Sequence, residues 1–138
     1  MASARPRVAL VVKRSAYAKH LERGEKLMGE LLSRGDPSVA HVVPAHAEHE
    51  AAVREVESAV AACGAAATRI AGRRRFDAQR FDLVVTVGGD GTLLHASHNV
   101  GSTPVLGVNS SPSYSVGFFC GAQKGSVAEA LRAALAGR

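Results

Sequence analysis

The run Leu83-Val-Val-Thr-Val87 passes directly into Gly88-Gly-Asp-Gly-Thr92 and then into Leu93-Leu-His-Ala-Ser97. A short β-branched apolar run reads as a buried strand, and the pattern after the glycines reads as the start of a helix. Strand, tight turn and helix in immediate succession commit the chain to an α/β architecture. Glycine tolerates positive φ and lets a ligand approach the backbone, so successive amides at Gly88, Gly89 and Gly91 can point at phosphate oxygens. Thr92 is read as opening the helix, whose free N–H groups and partial positive charge favour an anion.

Asp90 does not fit simple anion binding, because a carboxylate would repel a phosphate. Two readings stay open. It is a base or metal-linked group, suited to accepting the proton of an acceptor hydroxyl in phosphoryl transfer, or it caps the helix in an ordinary βα turn. No Gly-Lys-Ser/Thr follows for a Walker loop, and the glycine spacing does not match GxGxxG.

Elsewhere strand and helix patterns alternate. Val8–Val12 is an all-apolar strand of the kind covered on both faces, which implies a parallel sheet. From Ala18 to Arg34, Leu21, Met28, Leu31 and Leu32 recur at helical spacing, with Gly24 and Gly29 weakening the helix and Gly35 and Pro37 ending it. Val39–Pro44 reads as a connector. A second helix carries Val53, Val56, Val60 and Cys63 on one face, opposite Glu48, Arg54, Glu55 and Glu57, and stops at Gly64. Ala65–Ile70 is a strand; a short helix after the glycine turn ends near Asn99 and Gly101; Val105–Val108 is a strand whose end should adjoin Asp90, since ligands in open α/β sheets bind beyond the strands' carboxyl ends. Ser126-Val-Ala-Glu129 reads as a capping box on a helix bearing Val127, Leu131, Ala134 and Leu135 on its core side. The expected fold is α/β, a three-layer Rossmann-like domain with a mostly parallel sheet.

At 138 residues the chain has the size of one domain able to bury a core. No apolar run is long enough to span a bilayer, so no membrane role is expected. Two cysteines, Cys63 and Cys120, are too few for a disulfide framework and suit a reducing compartment, and a strand begun at Arg7 leaves too little for a transit peptide; the expected location is cytoplasmic. The net charge of +5 suits small polyanions better than nucleic acid. Its one dense basic run, Arg73–Arg75, has no interleaved aromatics and reads as a solvated loop.

His46 and His49, and likewise His95 and His98, are three apart and could share a helical face. Zinc would want further ligands that no cysteine cluster supplies, so no metal site is expected and the first pair reads as exposed. Asn109 ends a strand beside the turn and could orient ribose or phosphate, or cap the turn into Ser110. Ser110–Ser115 is rich in hydroxyls, as solvated turns are. Phe118 and Phe119 read as core.

The GGDGT stretch after an apolar strand resembles the signature shared by NAD kinases, diacylglycerol and sphingosine kinases and, more distantly, 6-phosphofructokinases. Pro104-Val-Leu-Gly-Val-Asn109 followed by Val116-Gly-Phe-Phe-Cys120 resembles the NAD kinase pattern, and the Gly-Thr-Gly-Asn-Asp stretch of lipid kinases is missing. The insert Ser110–Ser115 and the opening Arg7–Lys13 look like the mitochondrial-type branch. The resemblance covers nearly the whole chain, as the amino-terminal half of such an enzyme; the second, mostly β domain of that family has no counterpart here. It implies transfer of the γ-phosphoryl of ATP to the adenosine-ribose 2′-hydroxyl of NAD. Asp90 would be the base, Gly88, Gly89, Gly91 and Thr92 would cradle phosphates, His95 would touch dinucleotide, and Mg²⁺ would arrive with ATP. It also implies a homo-oligomer at full length. A non-catalytic nucleotide-binding module and a lipid kinase domain are the alternatives.

Overall fold

The computed structural model describes residues 4–71 and 74–137; Arg73 lies outside them. Strands β1 (Arg7–Val12), β2 (Ala66–Ala71), β3 (Leu83–Gly88), β4 (Val105–Asn109) and β5 (Ala122–Gln123) form one parallel sheet in the order β2-β1-β3-β4-β5. Between them lie helices α1 (Ala16–Arg23), α2 (Lys26–Ser33), α3 (Val42–Ala62) and α4 (Asp90–Ser97), with α5 (Val127–Leu135) last. The expected α/β three-layer, Rossmann-like domain is what forms. Two-residue β5 is too short to leave a period in sequence.

The sheet is covered on both sides, as its apolar strands require. On one face Val8, Leu10, Val85 and Val87 pack with Val53, Val56 and Val60 of α3 and Val127 and Leu131 of α5. On the other, Ala9, Val11, Ile70 and Val84 meet Ala96 of α4 and Val100. Right-handed crossovers produce this split. The chain leaves β1 toward β2 through α3, but steps from β3 to β4 in the opposite direction through α4, so the two helices fall on opposite faces.

Three local expectations change. The helix expected from Ala18 to Arg34 is two helices, because Gly24 adopts φ +63° and ends α1. The connector at Val39–Pro44 is instead a 3₁₀ turn at Pro37–Val39 and the first turn of α3, where Pro44 is tolerated. Ser126 does not cap α5 with its side chain; its hydroxyl bonds Gln123, and Glu55 of α3 accepts from the amides of Gly125 (2.7 Å) and Val127 (3.2 Å). The carboxylate reached across from another helix thus serves donors at the start of α5, Gly125 and Val127, other than the Ser126 and Glu129 amides of a local box.

Candidate active site

The chain departs from β1 and β3 toward opposite faces, so the loops after these neighbouring strands diverge and leave a crevice at their carboxyl ends. The glycine turn forms one wall. Gly89 is the N-cap of α4, in extended conformation, and the helix opens at Asp90 rather than at Thr92. The first helical bond is Leu93 N–H to Gly89 O, at 3.2 Å. The amides of Asp90, Gly91 and Thr92 therefore have no helical acceptor, which makes this end a seat for an anion.

The glycines do not serve positive φ: Gly88, Gly89 and Gly91 all lie outside that region. Gly88 is required by packing, since a Cβ there would stand 2.6 Å from Thr92 Oγ1 and 2.9 Å from Lys13 Cβ. At Gly91 a Cβ would meet nothing within 4 Å, and at Gly89 only Ser115 Oγ at 3.6 Å. These two leave open space beside the free amides.

Asp90 does not cap its own helix. Its Oδ2 accepts the Phe118 N–H and its Oδ1 the Phe119 N–H, each at 2.8 Å. Phe118 and Phe119, expected in the core, are 77% and 62% exposed; their backbones are pulled to the carboxylate and their rings, packed edge to face, are left outside. The Cys120 thiol beside them is pushed up to about 11 by burial and by the Asp90 charge, and stays protonated near neutrality.

Asn109 is buried and commits its amide to the neighbouring loop: Nδ2 donates to Ser115 O at 2.9 Å and Oδ1 accepts from Ser111 N at 3.2 Å. Gly117, at φ +59°, rests on this side chain so closely that a Cβ would come within 2.7 Å of Asn109 Cβ. The serine loop is docked rather than free, with Ser111 Oγ donating to Ala45 O and the Ser113 N–H to Glu48. His95 is exposed on the last turn of α4 and is not among the residues lining the cleft.

The opposite wall holds Lys13, to which the sequence assigns no role, and the two histidines expected to be exposed. Lys13 follows β1, its N–H bonded to Val87 O at 2.9 Å, and its side chain is exposed at the crevice. His49, expected on an exposed helix start, is 3% exposed in the interior of α3. Its Nε2 meets Lys13 O at 2.8 Å and its Nδ1 meets Ser110 Oγ at 2.6 Å. A carbonyl only accepts, so Nε2 carries the proton and the neutral ring accepts the Ser110 hydroxyl at Nδ1. Burial lowers the pKa of His49, against a smaller opposing pull from the Lys13 carbonyl, which keeps that neutral form. The ring thus ties the ends of β1 and β4 to α3. The signal was present: 49, 53, 56 and 60 form one helical stripe, which the apolar face alone does not reveal because its first member is polar. His46 lies one turn earlier, half-buried, with Nδ1 2.6 Å from Ser15 Oγ.

A cleft of about 230 Å³ lies between Lys13, His46, Gly88, Gly89 and Tyr114; Asp90, Gly91 and Thr92 follow directly on its glycine wall and are not among its lining residues. Among the described residues no three His, Cys, Asp or Glu side chains converge as metal ligands.

Residues 8–138 match the ATP-NAD kinase N-terminal domain. The chain belongs to the NAD kinase family. It is 73% identical over 33 residues to an NADH kinase of Arabidopsis thaliana, an alignment covering 23% of this chain and 10% of that protein. It is 47% identical over 51 residues to an NAD kinase of Halobacterium salinarum, covering 37% of this chain and 17% of that one. The matched stretches thus cover far less than two thirds of these curated relatives. Membership of this family removes the lipid kinase alternative.

Proposed function

We propose that this domain supplies the phosphate-binding and proton-accepting half of an NAD kinase site, in which the γ-phosphoryl of ATP passes to the adenosine-ribose 2′-hydroxyl of NAD. The observation that carries the reading is the juxtaposition at the crevice: free amides of an α4 N-terminus, and in the same turn a carboxylate held by two backbone donors.

Oδ1 accepts both the Phe119 amide and, at 3.9 Å, the Cys120 thiol, whereas Oδ2 accepts the Phe118 amide and retains a lone pair, so the fixed carboxylate can still accept the ribose proton at Oδ2. The Asp90, Gly91 and Thr92 amides receive phosphate oxygens, with Gly89 and Gly91 giving them room, and Lys13 adds a cation from the facing wall. His95 and Asn109 take the outer parts of this role: His95 touches dinucleotide, and Asn109 shapes the loop over the site. Mg²⁺ would arrive with ATP and would supply charge neutralisation at the donor phosphates, which the Asp90, Gly91 and Thr92 amides would hold. The second, mostly β domain of the family would complete the pocket over Phe118 and Phe119, and the present chain alone would be inactive.

Titrating this chain with ATP or NAD should shift the amides of Gly88–Leu93 first. In a form carrying the remaining length of its relatives, Asp90→Asn should lower kcat by about 10²–10⁴ with little change in KM, the usual share of a general base. Asparagine turns an NH₂ toward one of the two amide donors, so the melting temperature falls as well. The rate is therefore measured in a single turnover well below the transition. A normal rate in the folded variant overturns the assignment.

A further inference from the structure

The crossover from β2 to β3 should by handedness run over the α4 side of the sheet, where a helix normally covers the strands. Here its described part contains only a 3₁₀ turn, Ala78–Arg80. The β2 face on that side is consequently covered only in part: Ile70 is buried with Ala78, Phe76 and Phe81, Thr68 is exposed, and a hollow of about 520 Å³ lies beside them. It shares no lining residue with the cleft at the glycine turn.

Arginines surround this hollow. Arg7 is matched by Asp82 and Arg69 by Glu57, both at the rim. Arg74, Arg75 and Arg80 have no carboxylate partner among the described residues. The one acid lining the hollow, Asp77, turns its carboxylate to the Gln79 amide at 3.1 Å. Phe76 and Phe81, packed edge to face at 6.2 Å and half-buried, add apolar surface. Three unmatched guanidiniums gathered on one concavity repel each other, and an anion relieves that repulsion while accepting paired N–H donors.

We propose that this hollow is a second ligand site, taking a phosphorylated small molecule of nucleotide size. Its volume falls within the roughly 300–1,000 Å³ of small-molecule pockets. A nucleic acid would ask for an extended track of basic groups, whereas these arginines converge on one concavity. Phosphates meet the arginines and the ring system lies on the phenylalanines. The site stands on the β2 face and does not depend on the role given to Asp90.

The test uses this chain, followed by amide NMR and calorimetry at about 0.15 M salt, where loose charge attraction is screened. Inorganic pyrophosphate and ADP are the probes, with sulfate at equal ionic strength as the control. Both probes should give saturable shifts at Thr68, Phe76 and Phe81, ADP the tighter of the two. The variant Arg74→Gln/Arg75→Gln/Arg80→Gln, with exposed side chains and an unchanged melting temperature, should bind pyrophosphate there at least roughly tenfold more weakly. Shifts at Gly88–Leu93 should survive in it, which separates this site from the glycine turn. Shifts that do not saturate, match those with sulfate, or persist in the triple variant overturn the proposal. ADP no tighter than pyrophosphate overturns the part given to the rings, and saturation only by RNA or an acidic peptide overturns the ligand class.

Discussion

Replacing His49 by leucine tests whether the buried imidazole holds the two strand ends together. Leucine fills much of the same space in α3 but can neither accept the Ser110 hydroxyl nor donate to the Lys13 carbonyl. Ser110 is 2% exposed, so its hydroxyl would be left in the dry interior, costing about 1–3 kcal/mol, and losing the bond to Lys13 costs about 0.5–1.5 kcal/mol more. The sum, roughly 2–4 kcal/mol, is a large share of the ~5–15 kcal/mol that holds a domain together. At roughly 3–4 °C per kcal/mol for a domain of this size, the melting temperature should fall by about 6–16 °C. The decisive comparison is a double-mutant cycle read by urea unfolding. In a Ser110→Ala background no hydroxyl remains to be stranded, so His49→Leu should cost about 1–2 kcal/mol less than in the native background. Additive effects, or a single-variant loss below about 1 kcal/mol, would refute the reasoning, because the bond at Nδ1 would then carry no energy.

The depressed pKa of His49 gives a pH dependence of definite sign. The folded state binds its proton less readily than the unfolded chain, so this stability is complete above about pH 6.5 and declines as pH falls toward the folded-state value, by at most about 1.4 kcal/mol per pH unit; His49→Leu should flatten that slope in melting curves taken against pH. The glycines of the turn should separate into two kinds. Gly88→Ala drives a Cβ into Thr92 and Lys13 and should cost about 1–3 kcal/mol by overpacking. Gly91→Ala meets nothing and should gain up to about 0.5–1 kcal/mol from helix propensity while weakening nucleotide binding; unchanged affinity there would contradict the phosphate cradle.

Strand and helix periods, the punctuation at Gly64 and Gly101, and the glycine turn were all legible in the residues, because each is a local matter of spacing and backbone freedom. The parallel sheet followed from strands with no polar face, such as β1 and β3, whose residues must be covered on both sides. What Asp90 bonds was not legible: its partners, Phe118 and Phe119, lie 28 and 29 residues away, and their aromatic character suggested core when their backbone amides were what mattered. The cap of α5 likewise comes from Glu55, 70 residues before Gly125, where local spacing had pointed to Ser126 and Glu129. His49, without the further ligands of a metal site, reads as exposed, yet 61 residues on stands the hydroxyl that makes its burial possible. A one-dimensional pattern records whether a side chain is apolar. Only the packed sheet decides which distant donors and acceptors meet, and here those meetings fix the carboxylate, the histidine and both walls of the crevice.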